Sequence, residues 1–155
     1  MLLHAALKSI HLLAMIVWLG GMFFTLACLR PALSVLEPPP LRLRLMGAVI
    51  RRFFVAVAWA AGLMLASGVA MMRPITPPGT ATAPEIVMMA ALGVVMMAIF
   101  VFVRAGPFRR LQRAIAEGDG PVAAAALNKI RIAVWINLGV GIAIVVLMQF
   151  AAALR

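Results

Sequence analysis

Apolar positions in this chain fall into four long blocks. They show neither the strict alternation of a half-buried strand nor the one-sided stripe of a soluble helix. The first block runs over 2–29 and stops at the pair Arg30-Pro31. A proline-rich stretch, Glu37-Pro38-Pro39-Pro40, comes next and predicts a break, since proline offers no amide hydrogen to a helix. Helical pattern resumes near Leu41, and the second block covers 53–72. Arg73-Pro74 and Pro77-Pro78-Gly79 predict the next turn. Pro84-Glu85 then has the residues that suit a helix N-terminus, ahead of a third block at 86–103. A polar stretch with the breaker Gly118-Asp119-Gly120-Pro121 leads to the fourth block at 132–154. A helix needs about 20 apolar residues to cross a hydrocarbon core at about 1.5 Å per residue. The blocks therefore predict an all-α membrane protein, a four-helix transmembrane bundle forming a single domain over 1–155, with connectors at 30–52 and 104–131.

Composition agrees with this solvent. Of the 155 residues, 66% are apolar and 12% charged, against about half and a quarter in a soluble domain. The four spans leave too little chain for a separate soluble domain, so the lipid bilayer is the main partner.

The formal charge of +10 is a matter of topology. Arg30, Arg42, Arg44, Arg51 and Arg52 belong to the first connector and its flanks, and Arg104, Arg109, Arg110, Arg113, Lys129 and Arg131 to the second. The opposite side has only Lys8, Arg73 and Arg155. The positive-inside rule then places both basic connectors in the cytoplasm and both termini in the periplasm of a bacterial inner membrane. The excess charge needs no nucleic-acid partner. A cleaved leader is not expected at the N-terminus, because no basic region precedes the apolar run and the run is too long, although Thr25-Leu26-Ala27-Cys28 weakly resembles a lipoprotein box. The single Cys28 is expected to pack near the cytoplasmic end of the first span.

Ionisable residues inside an apolar span are costly and mark candidate sites. At about 100° per residue, His4, Lys8 and His11 share a stripe that Met15, Trp18 and Thr25 continue. His11 lies about 10 Å along the helix from His4, deep enough for its imidazole to need a hydrogen-bond partner or a metal. Ser67 and Asn137 are the candidate partners for a structural imidazole, while a metal or haem ligand and a proton relay are the other readings. Lys8 is shallow enough to snorkel outward.

The chain also carries 12 methionines. Thioether sulfur suits Cu(I) and haem iron, and counting along the spans brings Met64, Met96, Met97 and Met148 near the depth of His11. Packing is the ordinary role of any one of them. The candidate ligands are thus His11, His4, Met96 and Met97, with Lys8, Met15, Trp18, Met64, Ser67 and Asn137 lining the site. His4 and His11 point the same way from one helix and cannot sandwich one haem. A second axial ligand must be a methionine, Lys8 on a rearranged helix end, or His11 of a second copy in a homodimer. Gly20-Gly21, Ala61-Gly62, Ser67-Gly68, Gly93, Gly139 and Gly141 favour close helix approach. Motifs such as HExxH, CxxC, GxSxG or a phosphate loop are absent, so the reading leans away from an enzyme.

Leu7-Lys8-Ser9-Ile10-His11, Trp18-Leu19-Gly20-Gly21-Met22-Phe23-Phe24 and Leu29-Arg30-Pro31-Ala32-Leu33 resemble the start of the small CopD-family membrane proteins. Arg52-Phe53-Phe54, Ser67-Gly68, Gly93-Val94-Val95-Met96, Phe108-Arg109-Arg110-Leu111 and Asn137-Leu138-Gly139 extend the likeness. The resemblance implies a four-helix inner-membrane protein associated with copper resistance or uptake. Lys8-x-x-His11 followed by Trp18 and Gly21 is also similar to HemJ-type protoporphyrinogen oxidases. That likeness implies a haem ligand at His11, but the lysine and histidine of the oxidases' third helix have no counterpart here. Three functions stand as expectations: copper handling at a His/Met site near the periplasmic side, haem b binding through His11, or a cofactor-free accessory subunit.

Overall fold

A computed structural model of the chain describes residues 2–72 and 83–154. Among these residues every regular element is helical, and four helices are long and apolar enough to cross a membrane. The chain is accordingly an all-α, multi-pass membrane protein. Arg73, Arg155 and the turn expected at Pro77-Pro78-Gly79 lie outside the described residues.

The first span begins as α1 (Leu2–Phe24), widens into a π-helical turn at Thr25–Leu29, and ends through α2 (Arg30–Ala32) and a 3₁₀ turn at Leu33–Val35. The second is α3 (Pro39–Met72), 34 residues long. Its start falls two residues before Leu41, where helical pattern was expected to resume, so much of the connector at 30–52 is helical. The reason is that a proline at a helix start lacks only an N–H that has no intrahelical acceptor there. The third span, α4 (Pro84–Ala105), has Pro84 and Glu85 in its first turn as expected.

The second connector is also mainly helical. In α5 (Pro107–Glu117), Phe108, Leu111 and Ala114 recur every third residue and are buried, while Arg109, Arg110 and Arg113 are exposed. Such spacing gives one apolar face and one basic face. The breaker is confined to Gly118 and Asp119. Gly118 ends α5 at φ 75°, a left-handed conformation that glycine adopts without a Cβ penalty. Asp119 Oδ1 then accepts the Val122 N–H at 2.9 Å and caps α6 (Gly120–Ala153).

Packing pairs α1 with α3, and α6 with both α4 and α5. One buried cluster, around Met46, Phe54, Leu111 and Ile130, fills the basic end of the bundle. The other, around Trp18, Met22, Val57, Met96 and Leu138, fills the middle. Edge-to-face rings connect them: Trp18 to Phe100 at 6.2 Å, Phe100 to Phe54 at 5.5 Å, and Phe54 to Phe108 at 4.9 Å. These offset geometries suit the ring quadrupoles.

Large apolar side chains such as Leu13, Phe23, Trp59 and Phe150 remain on the outside. They are the surface that lipid covers. Two of the expected glycines meet a neighbouring helix closely: a Cβ at Gly21 would lie 2.3 Å from Phe53 Cε2, and one at Gly141 would lie 3.0 Å from Leu19 Cγ. Gly20, Gly62, Gly93 and Gly139 face open space instead. Cys28 is exposed rather than packed, because the π-helical turn that contains it has no buried residue.

Candidate functional site

The predicted stripe on α1 enters the bundle only from its third turn. His4 and Lys8 are exposed, whereas His11 and Met15 are partly buried and Trp18 is buried. His4 and Lys8 are therefore not brought to His11 by the packing of α1 against α3.

His11 is held across the α1–α3 interface. Its Nδ1 lies 3.1 Å from the Met64 carbonyl oxygen and 3.1 Å from Ser67 Oγ. The Ser67 hydroxyl donates to the Leu63 carbonyl at 2.6 Å. A carbonyl only accepts, and the Ser67 proton is already committed to Leu63. Nδ1 must therefore carry the imidazole hydrogen and share it between Met64 O and Ser67 Oγ. In a neutral imidazole this tautomer leaves a lone pair on Nε2. Gly68 lies beside the ring, where a Cβ would make ordinary contact with His11 Cε1 at 3.6 Å. Of the two partners expected for a structural imidazole, the structure selects Ser67.

Asn137 is engaged elsewhere. Its Nδ2 donates to Met22 Sδ at 3.8 Å, and its Oδ1 is buried without a hydrogen-bond partner. The amide lines a small cavity shared with Trp18, Met22, Phe53 and Phe100. Nothing in the spacing along one helix marks Met22 as special, since its partner comes from a span 115 residues away. Asn137 itself carries a signal, being the one amide side chain between Arg131 and Gln149.

Four methionines lie in or against the middle cluster. Met22 and Met96 are buried in the middle cluster at 1% and 3% exposure, and the side chains of Met64 and Met97 pack against it. Met64 touches both features, through its carbonyl to His11 and through its side chain to the middle cluster. Among the described residues no three His, Cys, Asp or Glu side chains converge. A metal held here would draw on one imidazole and on thioether sulfur. That donor set favours a soft ion, Cu(I), over Zn²⁺ or a hard cation.

The tautomer also fits a ligand. Metal-binding histidines ordinarily donate their second nitrogen to a carbonyl or carboxylate, which fixes the ring and leaves the other lone pair for the metal.

The family model described as Copper resistance protein D, CopD, matches residues 47–154, which covers most of α3 and all of α4, α5 and α6. The chain belongs to the CopD family. Neither a curated protein nor a solved structure matches it. The matched region starts beyond α1, so it does not include Lys8, His11, Trp18 or Gly21, the residues behind the likeness to HemJ-type oxidases; that likeness is not shown.

Proposed function

We propose that this CopD-family protein handles copper in a bacterial inner membrane, taking up Cu(I) at His11 near the periplasmic side with the methionines of the middle cluster as soft donors. The observation that carries this reading is the anchored imidazole, with Nδ1–H held by Met64 O and Ser67 Oγ and Nε2 left as an electron-pair donor. The family supports copper as the cargo. The methionine-rich cluster around Met22, Met64, Met96 and Met97 supports the monovalent ion.

Charge supports the orientation. The basic residues concentrate at the start of α3, the end of α4, on α5 and at the start of α6, which together form one end of the bundle. The positive-inside rule makes that end cytoplasmic. His11, in the third turn of α1, then lies toward the other side.

The test is a Cu(I) titration of detergent-purified protein against a competing chelator, with copper analysis and an absorption spectrum of the same preparation. Stoichiometric Cu(I) that is weakened in His11→Ala is the expected result. A Soret band lost in His11→Ala would replace copper with haem, and a colourless protein that takes up neither would leave His11 as a packing residue.

A further inference from the structure

The basic end of the bundle contains a second feature that the copper reading does not use. At Thr25–Leu29 the first span is wound as a π-helix, and the Arg30 N–H donates to Thr25 O, five residues back. The Thr25 hydroxyl donates to Gly21 O at 2.7 Å. Such a turn inserts one extra residue, widens the helix and re-aims the residues beyond it; these turns recur at binding sites. Here Thr25 and Arg30 both line one groove, and Arg131 of α6 lines it from the other side.

Both arginines are partly buried and face the same groove. Neither forms an ion pair among the described residues, and Glu37, whose carboxylate is the one in a described salt bridge, is taken by Arg42. Two like charges drawn together without an anion are costly to hold in a membrane protein. The rest of the groove is apolar, with Leu26, Ile50, Leu127 and Val134 among its walls. It is an open surface groove rather than an enclosed cavity.

We propose that this groove binds an anionic phospholipid, with its phosphate between Arg30 and Arg131 and part of an acyl chain along the apolar wall. Charge complementarity selects an anion, and guanidinium groups match phosphate oxygens in geometry. The apolar wall selects an amphiphile over a free ion, because inorganic phosphate gains nothing from Leu26 or Leu127. The proposal is independent of copper.

Native mass spectrometry of the detergent-purified full chain, titrated with phosphatidylglycerol, phosphatidylcholine or inorganic phosphate, tests it. Each arginine near an anionic headgroup is worth about 1 kcal/mol, or about fivefold in affinity. Phosphatidylglycerol is expected to bind in preference to phosphatidylcholine, and R30Q/R131Q to weaken it by about 25-fold. R109Q/R113Q removes the same charge from the exposed face of α5 and is expected to leave binding unchanged. If the double groove variant fails to fold, R131Q alone is expected to show the fivefold loss. Equal loss in R109Q/R113Q, unchanged binding in R131Q, equal binding of phosphatidylcholine, or displacement of the lipid by equimolar inorganic phosphate would each overturn the proposal.

Discussion

Ser67→Ala separates a ligand role for His11 from a structural one. The substitution removes one of the two acceptors of Nδ1–H and leaves the other, Met64 O, in place at 3.1 Å. The tautomer is therefore kept, while the ring loses one of its two restraints. Interhelical side-chain hydrogen bonds in membranes contribute about 0.6 kcal/mol on average, so stability should fall by about that amount. Loss of a residue that orients a metal ligand costs about 10- to 100-fold in affinity. Since the carbonyl remains, the lower end applies: about tenfold weaker Cu(I), or about 1.4 kcal/mol. Chelator competition reads the affinity, and unfolding in mixed detergent reads the stability. Gly68→Ala is the control, because its added Cβ would make only ordinary contact with His11 Cε1 at 3.6 Å. Copper affinity that stays within twofold in Ser67→Ala, while stability drops, would refute the link between imidazole anchoring and copper.

Three other substitutions test neighbouring features of the bundle. Gly21→Ala should cost about 1–3 kcal/mol by overpacking, because its Cβ would lie 2.3 Å from Phe53 Cε2, whereas Gly20→Ala, with nothing within 4 Å, should be neutral in the same unfolding assay. Asn137→Leu should raise the unfolding midpoint, since it removes the unpartnered Oδ1 from an apolar cavity; a lower midpoint would mean that the amide has a bound partner in the membrane. Met96→Leu conserves volume in the core and should cost less than about 1.5 kcal/mol, so a large drop in Cu(I) affinity in this variant, measured by the same competition, would identify its sulfur as a donor.

The spans were legible in the sequence because hydrocarbon demands one property, continuous apolarity over a fixed length, and the four blocks supply it. The helix start at Pro107 was not, because a proline reads as a break in sequence while its missing N–H costs nothing in a first turn. His11 was legible as a candidate for its cost in lipid, and Ser67 as its partner for being one of the few hydroxyls in the apolar blocks. The pairing of Met22 with Asn137 was hidden, since it depends on which face of α6 meets α1. Close approach at Gly141, where a Cβ would press on Leu19 of α1, shows that same face at work. The exposure of Lys8 fits its shallow place in the span, but the point at which the stripe enters the bundle was hidden for a related reason. A helical stripe can be counted from sequence, but the length over which a second helix covers it is a property of the packed bundle.

The donor set on these helices bears on the kind of copper handling that the proposed function implies. Among the described residues no three His, Cys, Asp or Glu side chains converge, so copper held here would draw on other donors. What the fold supplies instead is one anchored imidazole toward one end of α1 and neutral thioethers spread through the middle cluster, with Met64 touching both. Neutral soft donors hold Cu(I) without adding buried charge, and each binds it weakly enough to let go. Passage through a membrane needs this balance, because a site must be favourable enough to enter and weak enough to leave. If the proposed function holds, the methionines would act as successive resting points rather than as one cage. Replacing Met22, Met64, Met96 or Met97 singly with leucine should then lower copper flux into proteoliposomes by graded factors, whereas His11→Ala should abolish loading from the outer side. Abolition of flux by one methionine alone, with the others silent, would point instead to a single closed site.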